Sequence, residues 1–307
     1  MKNTIDWELY ENTPYEYDKN KMLKAWAEMG DADAQCKLGD KYYYGVGVAV
    51  NFCEAFRCYS LAAEQGNMLA QFYLGVMFEH GWGVKQNYKE AFNWYMKSAL
   101  QGDEMSQNNL GHLYDYGLGL PVDYNEAMRW FRMAAGKGDS GAQYNIGRMY
   151  YWGRGVSADY SEARKWFLLS AKQGHHESQY SLGIMYGREG NDEESRYWHQ
   201  LAAEQGHIYA ISRYGQMLLC GYGGYEDEKK ATFLLTEAAS CGDSKAQLLM
   251  GVIYETGTCG KARNIRLSKK WYKLAAKNGE ERATKSLQKY QATRHRRKDH
   301  HKRRTRR

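Results

Sequence analysis

Apolar and small residues keep a fixed relation to a glycine that recurs along the chain. In the stretch around Gly147, Ala142, Ile146 and Tyr150 fall at i, i+4 and i+8, which puts them on one face of a helix. The equivalent glycines are Gly39, Gly75, Gly111, Gly147, Gly183, Gly215 and Gly251. They are 36 residues apart except for one step of 32. A second series, Gly30, Gly66, Gly102, Gly138, Gly174, Gly206, Gly242 and Gly279, keeps nearly the same period. Two markers with one period predict a solenoid of repeated units. A mid-helix glycine costs about 1 kcal/mol relative to alanine. Its recurrence predicts a neighbour that passes too close for a side chain.

Within each unit the pattern reads helix, loop, helix. The loop carries a glycine pair such as Gly45/Gly47, Gly81/Gly83, Gly117/Gly119 or Gly153/Gly155, suited to the positive φ of a tight reversal. The second helix opens on Asn51 with Glu54, Asn87 with Glu90, Asp123 with Glu126, Asp159 with Glu162, and Asn191 with Glu194. That spacing predicts a reciprocal capping box. The body of this helix holds an aromatic pair and a small pair, as in Trp130-Phe131 with Ala134-Ala135. The fifth unit is four residues short between Gly183 and Ser195, and its loop is Gly187-Arg188-Glu189-Gly190.

The organisation that follows is a segment over 1–18 without repeat character, a capping helix over 19–30, and the array over 31–280. A capping helix over 281–293 and a basic tail over 294–307, expected to be disordered, complete it.

Leu-Gly-x-x-Tyr, Gly-x-Gly-Val, Glu-Ala, Trp-Tyr-x-x-Ala-Ala and Gln-Gly, repeated about every 36 residues, resemble the Sel-one-like repeat (SLR) family. The family is a relative of the tetratricopeptide repeat. The resemblance covers residues 31–280. It implies an all-α, right-handed α/α superhelical solenoid of about seven repeats with half-repeat caps. It also implies a non-enzymatic adaptor that binds a protein or peptide in a concave groove. One alternative it brings is an immunity-type or regulatory inhibitor of a specific enzyme. Some cysteine-rich relatives are described as β-lactamase-like. Their regularly paired cysteines are missing here, so neither that disulfide framework nor β-lactam hydrolysis is expected.

Composition refines this picture. Proline is scarce (2), glycine abundant (32), and tyrosine (27) and tryptophan (9) plentiful, which suits helices punctuated by glycine around a large core. No stretch approaches the roughly 18–20 apolar residues of a membrane span. The six cysteines have no regular spacing, which fits reduced thiols and a cytoplasmic chain. The net charge of +7 belongs to the end of the chain. Arg294, Arg296, Arg297, Lys298, Lys302, Arg303, Arg304, Arg306 and Arg307 outweigh Asp299, and the remainder stands at −1. Such a tail can neutralise phosphates of nucleic acid or anionic lipid, or simply solubilise the chain.

The paired glycines lack the preceding strand of a dinucleotide site, so no cofactor is expected. No zinc-ligand spacing and no nucleophile elbow are present. His175-His176-Glu177 falls at a unit junction, where a solvated turn is favoured over a metal site. By analogy with tetratricopeptide arrays, positions −3, +1, +4 and +5 from the helix glycine face the groove. The candidate partner-binding residues on this register are Tyr43, Tyr44, Glu79, His80, His112, Asp115, Tyr116, Tyr144, Arg148, Tyr151 and Trp152. They mix aromatics with charge, as protein-binding hot spots do. For Tyr43 and Tyr151 the competing reading is packing between units.

Overall fold

A computed structural model of the protein describes Glu11 and residues 16–291. The segment 1–18 lies mostly outside these residues, and the basic tail 294–307 wholly so. Among the described residues every regular element is a helix: α1 (Glu16–Glu28), α2 (Ala32–Tyr44), α3 (Phe52–Glu64), α4 (Met68–His80), α5 (Tyr88–Gln101), α6 (Glu104–Tyr116), α7 (Tyr124–Ala135), α8 (Ser140–Trp152), α9 (Tyr160–Lys172), α10 (His176–Arg188), α11 (Asp192–Glu204), α12 (Ile208–Cys220), α13 (Glu228–Ser240), α14 (Ser244–Thr256) and α15 (Ile265–Lys277). A last helix, α16, runs over 281–291. The fold is an all-α helical repeat solenoid. Contacts group the chain into two compact units, one up to Trp166 and one from Phe167 onward, dividing within α9.

The helix glycine explains how a pair closes. A Cβ on Gly111 would stand 2.5 Å from the ring of Phe131 on α7, and one on Gly39 would stand 2.7 Å from Tyr59 on α3. The close neighbour is therefore the aromatic ring of the unit's own second helix, and glycine buys that approach at the cost of helix propensity. The ring is then fully buried, as are the small residues around it: Ala127, Phe131, Ala134, Ala142 and Ile146 form one such cluster. Helix α1 caps the first unit by packing Leu23 and Ala27 on Ala34, Leu38 and Cys58. It begins three residues before the expected boundary. In the second unit, Ala283, Leu287 and Tyr290 of α16 cover Leu248, Tyr272 and Ala275.

The loops behave as their glycines predict. Gly153 ends α8 at φ +67°, and its N–H donates to the carbonyl of Met149. The second-helix caps are half of what the spacing predicts. Asn51, Asn87, Asp123 and Asp159 each accept from the N–H three residues on. Their glutamates do not reach back: Glu54, Glu126 and Glu162 turn outward to Arg57, Arg129 and Lys165. Asn191 makes no side-chain cap bond, because the shortened loop holds it at φ −90°, ψ 81°.

Two further devices join neighbouring repeats within each unit. The first helices are capped by the residue after each closing glycine: Asp31, Asn67, Asp103 and Asp139 in unit one, His175, His207 and Asp243 in unit two. A buried glutamine, four before the helix glycine, donates back to the preceding second helix. Gln71 Nε2 donates to Ala63 O (3.1 Å), and Gln71 Oε1 accepts from Gln101 Nε2 (2.8 Å). Both bonds repeat at Gln35, and in unit two at Gln179 and Gln247, while Gln107 keeps only the donor bond, to Ala99 O.

Candidate functional site

The residues expected to meet a partner all lie in unit one, on α2, α4, α6 and α8. Four of them form a column. Tyr44, His80, Tyr116 and Trp152 are the final residues of these helices, 36 apart, each followed by a left-handed glycine. That register exposes them: Tyr44 is 57% exposed, Tyr116 44% and Trp152 64%, and His80 is also on the surface. In unit two the same register holds Arg188, Cys220 and Thr256. The aromatic column is thus a property of unit one.

Behind the column the side chains are fixed. Tyr43 is half-buried at the centre of an aromatic group, 4.8 Å from Tyr44, 5.5 Å from Tyr73 and 5.8 Å from Trp82 between ring centroids. Its geometry is that of packing, and burial pushes its phenol up. Tyr44 Oη lies 2.9 Å from Tyr73 Oη. Glu79 accepts from the buried Tyr95 hydroxyl at 2.6 Å. His80 stacks on Trp82 at 4.7 Å, and Trp82 stacks on Phe52 at 5.6 Å. Tyr151 packs edge-on against Trp152 (4.9 Å) and Tyr160 (5.2 Å).

The polar centre is Asp115, 4% exposed. Arg154 Nη1 donates to both its oxygens at 3.1 Å, and Arg148 Nη2 stands 3.7 Å away. Arg148 Nη2 also donates to Tyr116 Oη at 2.5 Å, and its guanidinium lies 5.6 Å from the Tyr116 ring and 5.8 Å from that of Tyr144. The His112 ring lies tilted against Tyr116 with centroids 4.6 Å apart, and burial holds its pKa below the usual imidazole range. A buried carboxylate that fixes two arginines pre-orders charged donors before any partner arrives. Sequence reading missed Arg154, Trp82, Tyr73 and Tyr160. Trp82 and Arg154 both follow the first loop glycine, a register visible in the chain.

The structure brings His176 and Glu177 together with a third residue, His207, their ligand atoms within 4.8 Å of one another. Hydrogen bonds already close this cluster. His207 Nδ1 accepts the Ala210 N–H at 3.1 Å, which puts the ring proton on Nε2, 3.2 Å from Glu177 Oε2. In that tautomer the ring has no lone pair left for a metal. His175 caps α10 in the same way, accepting from Ser178 N–H. The described cysteines are free thiols, and burial pushes Cys36 up to about 12. No described helix is long and apolar enough to cross a membrane.

The Sel1 repeat matches seven consecutive stretches: 32–67, 69–103, 105–139, 140–175, 176–207, 208–243 and 244–280. A protective antigen of uropathogenic Escherichia coli strains that displays an SLR fold is 35% identical. It aligns over 86% of this chain and 57% of its own, with a TM-score of 0.76. A Sel1 repeat protein from Oxalobacter formigenes is 28% identical over 92% of this chain and 83% of its own, with a TM-score of 0.69. An uncharacterized Sel1-like repeat-containing protein of Schizosaccharomyces pombe is 50% identical over 36 residues, 12% of this chain and 5% of its own length. The chain thus spans just over half of the antigen and a small part of the yeast protein. Seven consecutive matched repeats over 32–280, with the helix glycine of six of them against a side chain of the second helix, leave one assignment: the chain belongs to the Sel1 repeat family.

Proposed function

We propose that this protein is a non-enzymatic scaffold that holds a partner segment along the face formed by α2, α4, α6 and α8. Sel1 repeats are generally protein-interaction scaffolds. The observation that carries the reading is the column Tyr44, His80, Tyr116 and Trp152, one exposed ring per repeat, backed by the Asp115–Arg148–Arg154 network. Large rings with fixed neighbours present contact area at little entropic cost, which is the character of an interface hot spot. Packed helices repeat every 8–10 Å or so, about the length of three extended residues. The partner segment therefore offers an apolar side chain or a backbone turn at about every third residue.

The test is capture of partners from the native host by the full chain and by the Tyr116→Ala, Trp152→Ala double variant, followed by mass spectrometry. The two side chains are exposed, so circular dichroism should show unchanged helicity. A protein captured by the parent and lost by the variant supports the reading. Identical capture by both moves the interface off this face.

A further inference from the structure

In unit two the fifth repeat holds a cavity of about 420 Å³, open to solvent on one side, between α10, α11 and α12, with Lys245 of α14 at its edge. Its origin is read from the repeats that lack it. In the first, second and seventh repeats a buried tyrosine packs on the helix glycine and donates to an acid of the first helix. Tyr59 donates to Asp40 (2.7 Å), Tyr95 to Glu79 (2.6 Å) and Tyr272 to Glu255 (2.6 Å). The fifth repeat has His199 against Gly183, and Gly187 at the +4 register that Glu79 and Glu255 occupy. A shorter ring and a missing carboxylate together open the space, and both residues line it.

The lining has a definite chemistry. Arg188, Arg213 and Lys245 stand against a single acid, Asp192. Arg213 is steadied by a 3.1 Å bond from Nη1 to Gln216 Oε1. His199 is 2% exposed, yet its Nδ1 has no hydrogen-bond partner in the protein. A buried ring nitrogen without a partner costs about 1–3 kcal/mol; this one is turned toward Gly183, so the ring borders the cavity without pointing that nitrogen into it. The rest of the wall mixes Ser195 and Gln216 with the apolar or aromatic Tyr180, Ile184, Met217 and Tyr222. The volume lies within the range of small-molecule sites.

We propose that this cavity binds a small organic oxyanion. Its phosphate or carboxylate group faces Arg188, Arg213 and Lys245, and its apolar or aromatic body lies against Tyr180 and Tyr222. Guanidinium groups suit either oxyanion, since both present paired oxygens. The site is independent of the protein-binding face proposed for unit one and stands whether or not that face has a partner.

The test uses the full chain with labelled histidine, titrated with phenyl phosphate, benzoate, inorganic phosphate and acetate. The readouts are the His199 imidazole resonances and calorimetry. Phenyl phosphate or benzoate is expected to saturate the His199 shift at least tenfold more tightly than its counterpart without a ring, and the tighter of the two names the oxyanion. Arg213→Gln should weaken binding at least tenfold. His199→Tyr, which restores the residue of the first, second and seventh repeats, should abolish it. Arg213 is exposed, so its variant reports even if His199→Tyr folds poorly. The proposal is overturned if no probe saturates by about 20 mM, if the ringless anions bind equally well, or if Arg213→Gln binds like the parent.

Discussion

His199 makes the stability of unit two depend on pH. Burial first, then the charges of Arg213 and His207, push its pKa down from 6.5 to about 3. A folded-state pKa below the unfolded value means that the folded form prefers the neutral ring. The stability this confers is fully present above about pH 6.5 and is lost as pH falls from there toward about 3. One pKa unit corresponds to about 1.4 kcal/mol, so at pH 5.0 the loss is about 2 kcal/mol relative to pH 7.5. The perturbation that isolates it is His199→Leu. Leu235 holds the equivalent position in the sixth repeat, with its Cγ 3.0 Å from where a Cβ on Gly215 would stand, so leucine is tolerated at this register. His175 is shifted the same way, by burial and then by His176, but it is present in both proteins and cancels in the difference. Urea titrations followed by circular dichroism, at pH 7.5 and 5.0 in amine buffers with chloride, give the four stabilities. The parent should lose about 2 kcal/mol more than His199→Leu between the two pH values. Losses equal within about 0.5 kcal/mol, the usual limit of additivity, would refute the assignment of a buried neutral ring.

Two further variants probe the joints of unit one. Gln71→Leu removes the donor to Ala63 O and the acceptor for Gln101 while keeping volume. It should cost about 1–3 kcal/mol in urea unfolding, the range for stranding buried polar groups. Gly111→Ala places a methyl 2.5 Å from the Phe131 ring, where helix propensity alone would favour alanine by about 1 kcal/mol. The crowding should win, with a net loss of about 1–3 kcal/mol and a lowered thermal midpoint, and a rise in midpoint would contradict the close-approach account.

The solenoid was legible because its period is carried by many positions at once, and glycine, ring and cap all repeat together. The function-bearing features were legible in uneven degree. The column at Tyr44, Tyr116 and Trp152 follows from helical register alone. The pairing of Arg154 with Asp115 does not, because it joins residues 39 apart across a loop whose conformation the glycines set. Tyr43 shows the opposite case: its register points to the partner face, and its neighbours Tyr73 and Trp82 make it packing. The caps at Asp31, Asn67, Asp103 and Asp139 were readable, since each follows a closing glycine, but a polar residue after glycine reads as any turn. The cavity is hardest to see in the chain. It arises from what is small, His199 and Gly187, at positions where other repeats are large.

The glutamine joints give the array an interchangeable coupling. Each presents the same donor to the same carbonyl, and the shortened fifth repeat keeps it: Gln179 still donates to Ala171 O and still accepts from Gln205. The four missing residues fall between one joint and the next, inside the repeat. Length and side-chain chemistry can therefore drift within a repeat while its connector is kept, although the sixth repeat replaces the glutamine with a buried Ile211. A repeat can be duplicated, trimmed or exchanged as a cassette, and a new pocket can be tried in one without renegotiating the fit of its neighbours.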